Sequence, residues 1–283
     1  MAQLTRKKME KLIKKSKVKS LIKALTYNRG ETFAWDKPES GGKFNANYYT
    51  ALGHIKGHKE WVQHYGVRMD AAKALGEIGD ERAVEPLLEI AENDNLFAVR
   101  TKAVEALKSL KWQPDTSIAA AVYWIRDCNW DKCVELGEVA VAPLIDAFVW
   151  GLPSERIDIG RTLARIGGPA VEALIETLNK WLGEYLGMVG FASREGINPA
   201  NALGVLLLES FEGMSSLVEK SAWALSETGD ERAVEALNSA ISTLQVAFAQ
   251  VGPGLLMSYI RGEFLEKDFN EALTKLKERI ATA

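Results

Sequence analysis

The chain writes one phrase twice. GDERAVEPL occupies Gly79–Leu87 and GDERAVEAL occupies Gly229–Leu237, 150 residues later, with seven consecutive residues identical. The first copy sits in a longer helical pattern. Ala71, Ala74, Leu75 and Ile78 recur at helical spacing before it, Val84, Leu87, Leu88, Ile90 and Ala91 after it, then Val99, Ala103 and Leu107. Gly79 suits a helix C-cap, where a left-handed residue carries no Cβ penalty. Asp80 suits the N-cap of the next helix, with Glu81 near that helix's positive end. The phrase is therefore the tight turn of a helix pair.

The same grammar recurs. LGEVAVAPLIDAF (Leu136–Phe148) and GPAVEALIETL (Gly168–Leu178) follow the second helix of the pair, and Ala140 and Ala170 stand 30 residues apart. RIDIGRTLARIG (Arg156–Gly167) follows the first helix, VEKSAWALSETGDERAVEALNSAI (Val218–Ile241) repeats the pair, and SLIKALTYN (Ser20–Asn28) opens the series. A pair of about 30 residues cannot bury its apolar faces alone, so neighbouring pairs must stack. The expected fold is all-α: a right-handed α-solenoid of stacked antiparallel helix pairs, read as one domain. Residues 1–28 would form the N-terminal cap and first helix, 67–182 the central repeats, and 214–283 the last repeat and C-terminal cap.

These residues carry a resemblance. AAKALGEIGDERAVEPLLEIAENDNLFAVRTKAVEALKSL resembles the short, armadillo-like HEAT repeats first named from phycobilisome-linker lyases. KWQPD (Lys111–Asp115) and WDKCVELGEVAVAPLIDAF (Trp130–Phe148) resemble an element of many prokaryotic and archaeal members. The likeness covers about 150–170 residues in pieces and implies a fold, since such repeats serve unrelated tasks.

Two stretches interrupt the repeats. Residues 29–66 hold Trp35, Tyr48, Tyr49 and Trp61 and all three histidines, His54, His58 and His64. Aromatics enrich interface hot spots, but they also pack insertions onto a core. The histidines and Glu60 would suit a divalent metal, although their spacing matches no metal motif and Gly57 interrupts any helix between His54 and His58. Residues 183–213 form an apolar, Gly-rich stretch that reads either as pocket wall or as a helix replacing a missing repeat face.

The net charge is −3, yet Arg6–Lys23 carries nine basic residues against Glu10. That segment is read as a polar cap rather than an anionic-partner patch, so nucleic acid is not expected as a partner. Cys128 and Cys133 are too few for a disulfide framework and are read as core residues of a protein from a reducing, cytoplasmic compartment. No apolar run approaches a membrane span. No P-loop, dinucleotide or nucleophile-elbow motif is present, and no cofactor is expected.

The function expected is that of a non-catalytic scaffold binding a protein or peptide on the concave face or the 29–66 insertion, with Glu81, Arg82, Glu85, Arg100, Glu231 and Arg232 as exposed contact candidates. Arg82 and Arg232 would alternatively pair with carboxylates of neighbouring units. The other readings are a bilin-lyase-like enzyme or accessory, and a small-ligand or metal binder using the insertions. Deoxyhypusine hydroxylases hold iron with His-Glu dipeptides, which this chain lacks. HEAT-like DNA glycosylases are basic along the groove, whereas this chain is acidic beyond its first helix.

Overall fold

The computed structural model describes residues 6–27, 58–151, 153–194, 202–250 and 262–282. Every regular element among them is helical: α1 (Arg6–Lys14), α2 (Val18–Leu25), α3 (His58–Ile78), α4 (Val84–Asn93), α5 (Phe97–Ser109), α6 (Ile118–Arg126), α7 (Trp130–Leu136), α8 (Glu138–Trp150), α9 (Arg156–Ile166), α10 (Gly168–Arg194), α11 (Ala202–Thr228), α12 (Arg232–Gln250) and α13 (Gly262–Thr282), with 3-10 turns at Glu81–Ala83 and Pro153–Glu155. The all-α repeat architecture read from the sequence is the one observed.

The chain divides into two compact units, Met1–Pro143 and Leu144–Ala283. Unit 1 has two layers. First helices α3 and α5 pack on each other, and second helices α2, α4 and α6 pack side by side, with α1 closing onto α3. In unit 2, α9, α11 and α13 form the first layer and α10 and α12 the second.

One register explains the packing. Ala83, Ala140, Ala170 and Ala233 are each fully buried at the start of a second helix, and Leu87, Leu144, Leu174 and Leu237 are fully buried one turn on. The next turn buries Ile90 with Ala91, Ala147 with Phe148, Thr177 with Leu178 and Ala240 with Ile241. Burying a leucine contributes about 1.5–3 kcal/mol, and an alanine at the turn lets the helices approach. First helices also meet through small residues. A Cβ on Gly76 would stand 2.8 Å from the Ala106 Cα, and one on Gly160 would stand 2.9 Å from the Trp223 ring.

The turns follow capping chemistry. Gly79, Gly137, Gly167 and Gly229 have φ of +60° to +76°. Ser16, Lys111 and Cys128 take the same left-handed position without being glycine, at φ 45°, 61° and 53°. Each makes the paired Schellman bonds. For Cys128 these are Cys128 N to Ile125 O (3.0 Å) and Asn129 N to Trp124 O (2.8 Å).

Three expectations change. Helix α3 begins at His58, so the end of the stretch read as an insertion is the opening of a repeat helix; glycine is tolerated inside a helix at a propensity cost of about 1 kcal/mol. Of the Gly-rich stretch 183–213, residues 183–194 continue α10 and residues 202–213 open α11, each helix being 27 residues long. Cys128 is exposed rather than core, because a left-handed cap residue projects outward; Cys133 is buried.

Candidate functional site

Three arginines stand at one register of the first helices, and all three are buried: Arg68, Arg100 and Arg156 are 2%, 9% and 6% exposed. Each reaches the carboxyl end of a second helix, where the last carbonyls lack helical partners. Arg68 donates from Nη1 to the Tyr27 carbonyl (3.2 Å) and from Nη2 to Asp94 Oδ1 (3.2 Å) and Asn95 Oδ1 (3.4 Å). Its Nε lies 2.9 Å from Asp94 Oδ2. Asp94 also accepts from the Leu96 amide at 3.0 Å, which joins α4 to α5. Arg100 donates to the Asp94 carbonyl (2.9 Å) and lies over the Phe97 ring. Arg156 donates to the carbonyls of Phe148 (2.9 Å) and Val149 (3.5 Å). Arg100 is therefore not the exposed contact charge read from the sequence. Its guanidinium is drawn inward to the Asp94 carbonyl at the end of α4.

Arg82 is exposed, but its partner is Asp80 of its own turn rather than a carboxylate of another unit. Asp80 Oδ1 accepts from the Arg82 amide (3.0 Å) and Nε (2.8 Å), and Oδ2 from Nη2 (2.5 Å). The Arg82 side-chain bonds hold the Asp80 carboxyl down at about 2. Arg232 repeats this on Asp230, lowering that carboxyl in the same way, and also donates to the Gly168 carbonyl at 3.2 Å, bridging neighbouring repeats of unit 2.

With these cations engaged, the exposed charge in the opening turns of α4, α10 and α12 is acidic. Glu85 and Glu89 lie on the outer side of α4; in unit 2, Glu172 and Glu176 lie on that of α10 and Glu235 on that of α12. Glu85, Glu172 and Glu235 each stand two residues after the buried turn alanine. Glu89 and Glu176 repeat the acid one turn on.

The aromatic element after α5 is structural at its base. Trp112 packs against the unit 1 core and meets Tyr123 edge-on at 6.2 Å, and Tyr123 meets Trp124 at 4.9 Å. Lys108 lies over Tyr123 and binds Asp127 at 2.7 Å, which raises the Lys108 pKa. In unit 2, Trp150 is exposed and stacks edge-on with buried Trp181 at 5.8 Å.

Of the remaining sequence candidates, Trp35, Tyr48, Tyr49 and His54 lie outside the described residues. Trp61, His58 and His64 lie on the opening turns of α3, of which only the backbone is described. Among the described residues no group of three or more His, Cys, Asp or Glu side chains is placed to hold a metal, and no helix is long and apolar enough to cross a membrane. The carboxylate row was missed in the sequence, although its signal was there: an acid two residues after each AV turn in three of four copies.

Comparison with known proteins agrees with the geometry. Residues 50–110 match HEAT repeats, and residues 218–243 match the PBS lyase HEAT-like repeat. No curated protein matches the chain. One match falls in each unit, on the helix pairs whose turn is written GDERAV, so HEAT-like repeats are present in both units.

Proposed function

We propose that the chain is a non-catalytic scaffold that binds a protein or peptide partner along the exposed side of its second helices. HEAT repeats commonly serve this purpose. The observation that carries the reading is the acid row. Buried residues recur because packing demands it, but packing places no demand on an exposed position. A helix dipole favours an acid in the first turn only, so it accounts for Glu85 and not for Glu89 or Glu176. Within unit 2, the carboxylates of Glu172, Glu176 and Glu235 on neighbouring second helices would orient and steer a partner bearing Lys or Arg, contributing to on-rate and specificity more than to raw affinity. The 29–66 stretch, with Trp35, Tyr48, Tyr49 and Trp61, would add aromatic anchors to such a surface. A reducing, cytoplasmic setting suits the two free thiols.

The test is affinity capture from the source cell's lysate with three baits: the full chain, a chain lacking 30–65, and the triple variant Glu172→Lys/Glu176→Lys/Glu235→Lys. A protein retained by the full chain and lost on charge reversal, with an unchanged melting temperature, supports the acid row. Loss from the deletion alone moves recognition to the insertion. If no protein is specifically retained by the full chain, the scaffold reading fails.

A further inference from the structure

The overall charge of −3 hides a strongly polarised unit 1. Lys8, Lys11, Lys14, Lys15, Lys17, Lys19 and Lys23 are all exposed on the α1–α2 hairpin. None of the seven has an ion-pair partner among the described residues. The only acid within the hairpin is Glu10. On the adjacent helix α4, the exposed charges Glu85 and Glu89 are of opposite sign.

The apolar side of the hairpin is already occupied. Met9, Val18, Leu21, Ala24 and Leu25 are buried in the unit 1 core, and Leu12, Ile13, Ile22 and Tyr27 pack against it. No apolar face is left to enter a bilayer, which an interfacial helix requires. The described outward side chains include no aromatic ring to stack on an unpaired base. They are lysines, which are depleted at protein–protein interfaces and act as point charges on flexible stems. Such a surface suits a regular array of phosphates. Each helix is about 12–14 Å long, and a nucleic-acid duplex carries on the order of eight charges over that length.

We propose that the lysine-faced α1–α2 hairpin docks the phosphate backbone of a nucleic-acid duplex without reading its sequence. The acids of α4 confine the duplex to this end of unit 1 by repulsion. The proposal stands independently of the scaffold reading, because it uses a different surface and a partner of different chemistry.

The experiment is fluorescence anisotropy with the full chain and two 20-base-pair duplexes of unrelated sequence, between 50 and 300 mM salt. The expected result is equal affinity for both within about twofold, with a slope of log affinity on log salt of about −4 to −6, the range for five or six phosphate contacts. The variant Lys11→Glu/Lys15→Glu/Lys19→Glu should lose at least about tenfold at 50 mM salt, where phosphate contacts are least screened. The charge-matched control Lys73→Glu/Lys267→Glu/Lys277→Glu should lose far less, and melting temperatures show that both variants are folded. The proposal is overturned by no binding at 50 mM salt, by equal loss in hairpin and control variants, or by an unchanged hairpin variant. Tighter binding of phosphatidylserine vesicles or polyglutamate than of the duplexes would overturn it too, assigning the hairpin to a membrane surface or an acidic protein.

Discussion

The two units share a turn and a register, yet they secure their helix ends differently. In unit 1 two successive repeats end in short second helices, and Arg68 and Arg100 lie under those ends with Asp94 as a buried counter-charge. In unit 2 Arg156 serves the end of α8 through carbonyls alone. The same register in the last repeat holds Val218, which is fully buried. The second helix before it, α10, does not stop after three turns but runs to Arg194. With no helix end at that level there are no orphan carbonyls to satisfy, and an apolar residue replaces the guanidinium. The last first-layer helix is held instead from the surface. Glu227 accepts from Lys275 and, at 2.6 Å, from Arg279. A buried cation in this fold follows the place where a helix ends, not the repeat as such.

The sharpest way to break this comparison is to remove the buried cations in turn. Arg68→Met leaves the Asp94 carboxylate, itself 1% exposed, without its partner, and should cost about 3–5 kcal/mol in urea denaturation. Arg156→Met abandons only carbonyls and should cost about 1–3 kcal/mol. Equal losses would show that the carboxylate is not what distinguishes unit 1.

A second contrast concerns the first-helix contacts. Gly76→Ala meets backbone at 2.8 Å and should cost about 1–3 kcal/mol, since overpacking a backbone contact forces the helices apart. Gly160→Ala meets the edge of the Trp223 ring, which is only half-buried and able to turn, so the loss in melting temperature should be smaller.

The left-handed caps give a prediction of opposite sign for the two residue classes. Cys128→Gly should stabilise by about 1 kcal/mol and Gly79→Ala destabilise by a similar amount, because only glycine adopts that region without Cβ strain. A Cys128→Gly variant no more stable than the parent would mean that the exposed thiol contributes an interaction that offsets the strain.

The smallest effect is on pH dependence. Asp80 is held at about 2 by the Arg82 side-chain bonds, below its ordinary 3.8. A depressed carboxyl contributes stability in full above the ordinary value and loses it as pH falls through the folded one. Acid denaturation between pH 4 and 2 should therefore shift slightly upward in pH for Arg82→Gln, and Arg232→Gln should behave alike. Urea midpoints across that window check it, and a flat difference would remove the pair from the stability of the turn.

The thiols form a last pair. Burial pushes the Cys133 thiol up to about 12, so a thiol reagent should label one cysteine, Cys128, in the native protein and two in denaturant.

Much of the frame was legible from the residues. The alanine–valine–x–x–leucine spacing named the buried stripe of four second helices, α4, α8, α10 and α12, and glycine before aspartate named the turns at 79 and 229. The candidate site was less legible. Arg82 and Arg100 both read as exposed charges in sequence, yet one is exposed and occupied by Asp80 while the other is buried beneath a helix end. Nor did Cys128 announce itself as a cap, because the left-handed position is normally written with glycine.

What the sequence by itself determined is the repeating unit: helical period, tight turns and a one-sided apolar stripe that forces neighbouring pairs to stack. These are local properties, decided by capping geometry and by side chains three or four residues apart. The tertiary structure alone decided which charges are buried, which are paired and which remain to meet a partner. That choice depends on where each neighbouring helix ends, and thus on which orphan carbonyls need a donor.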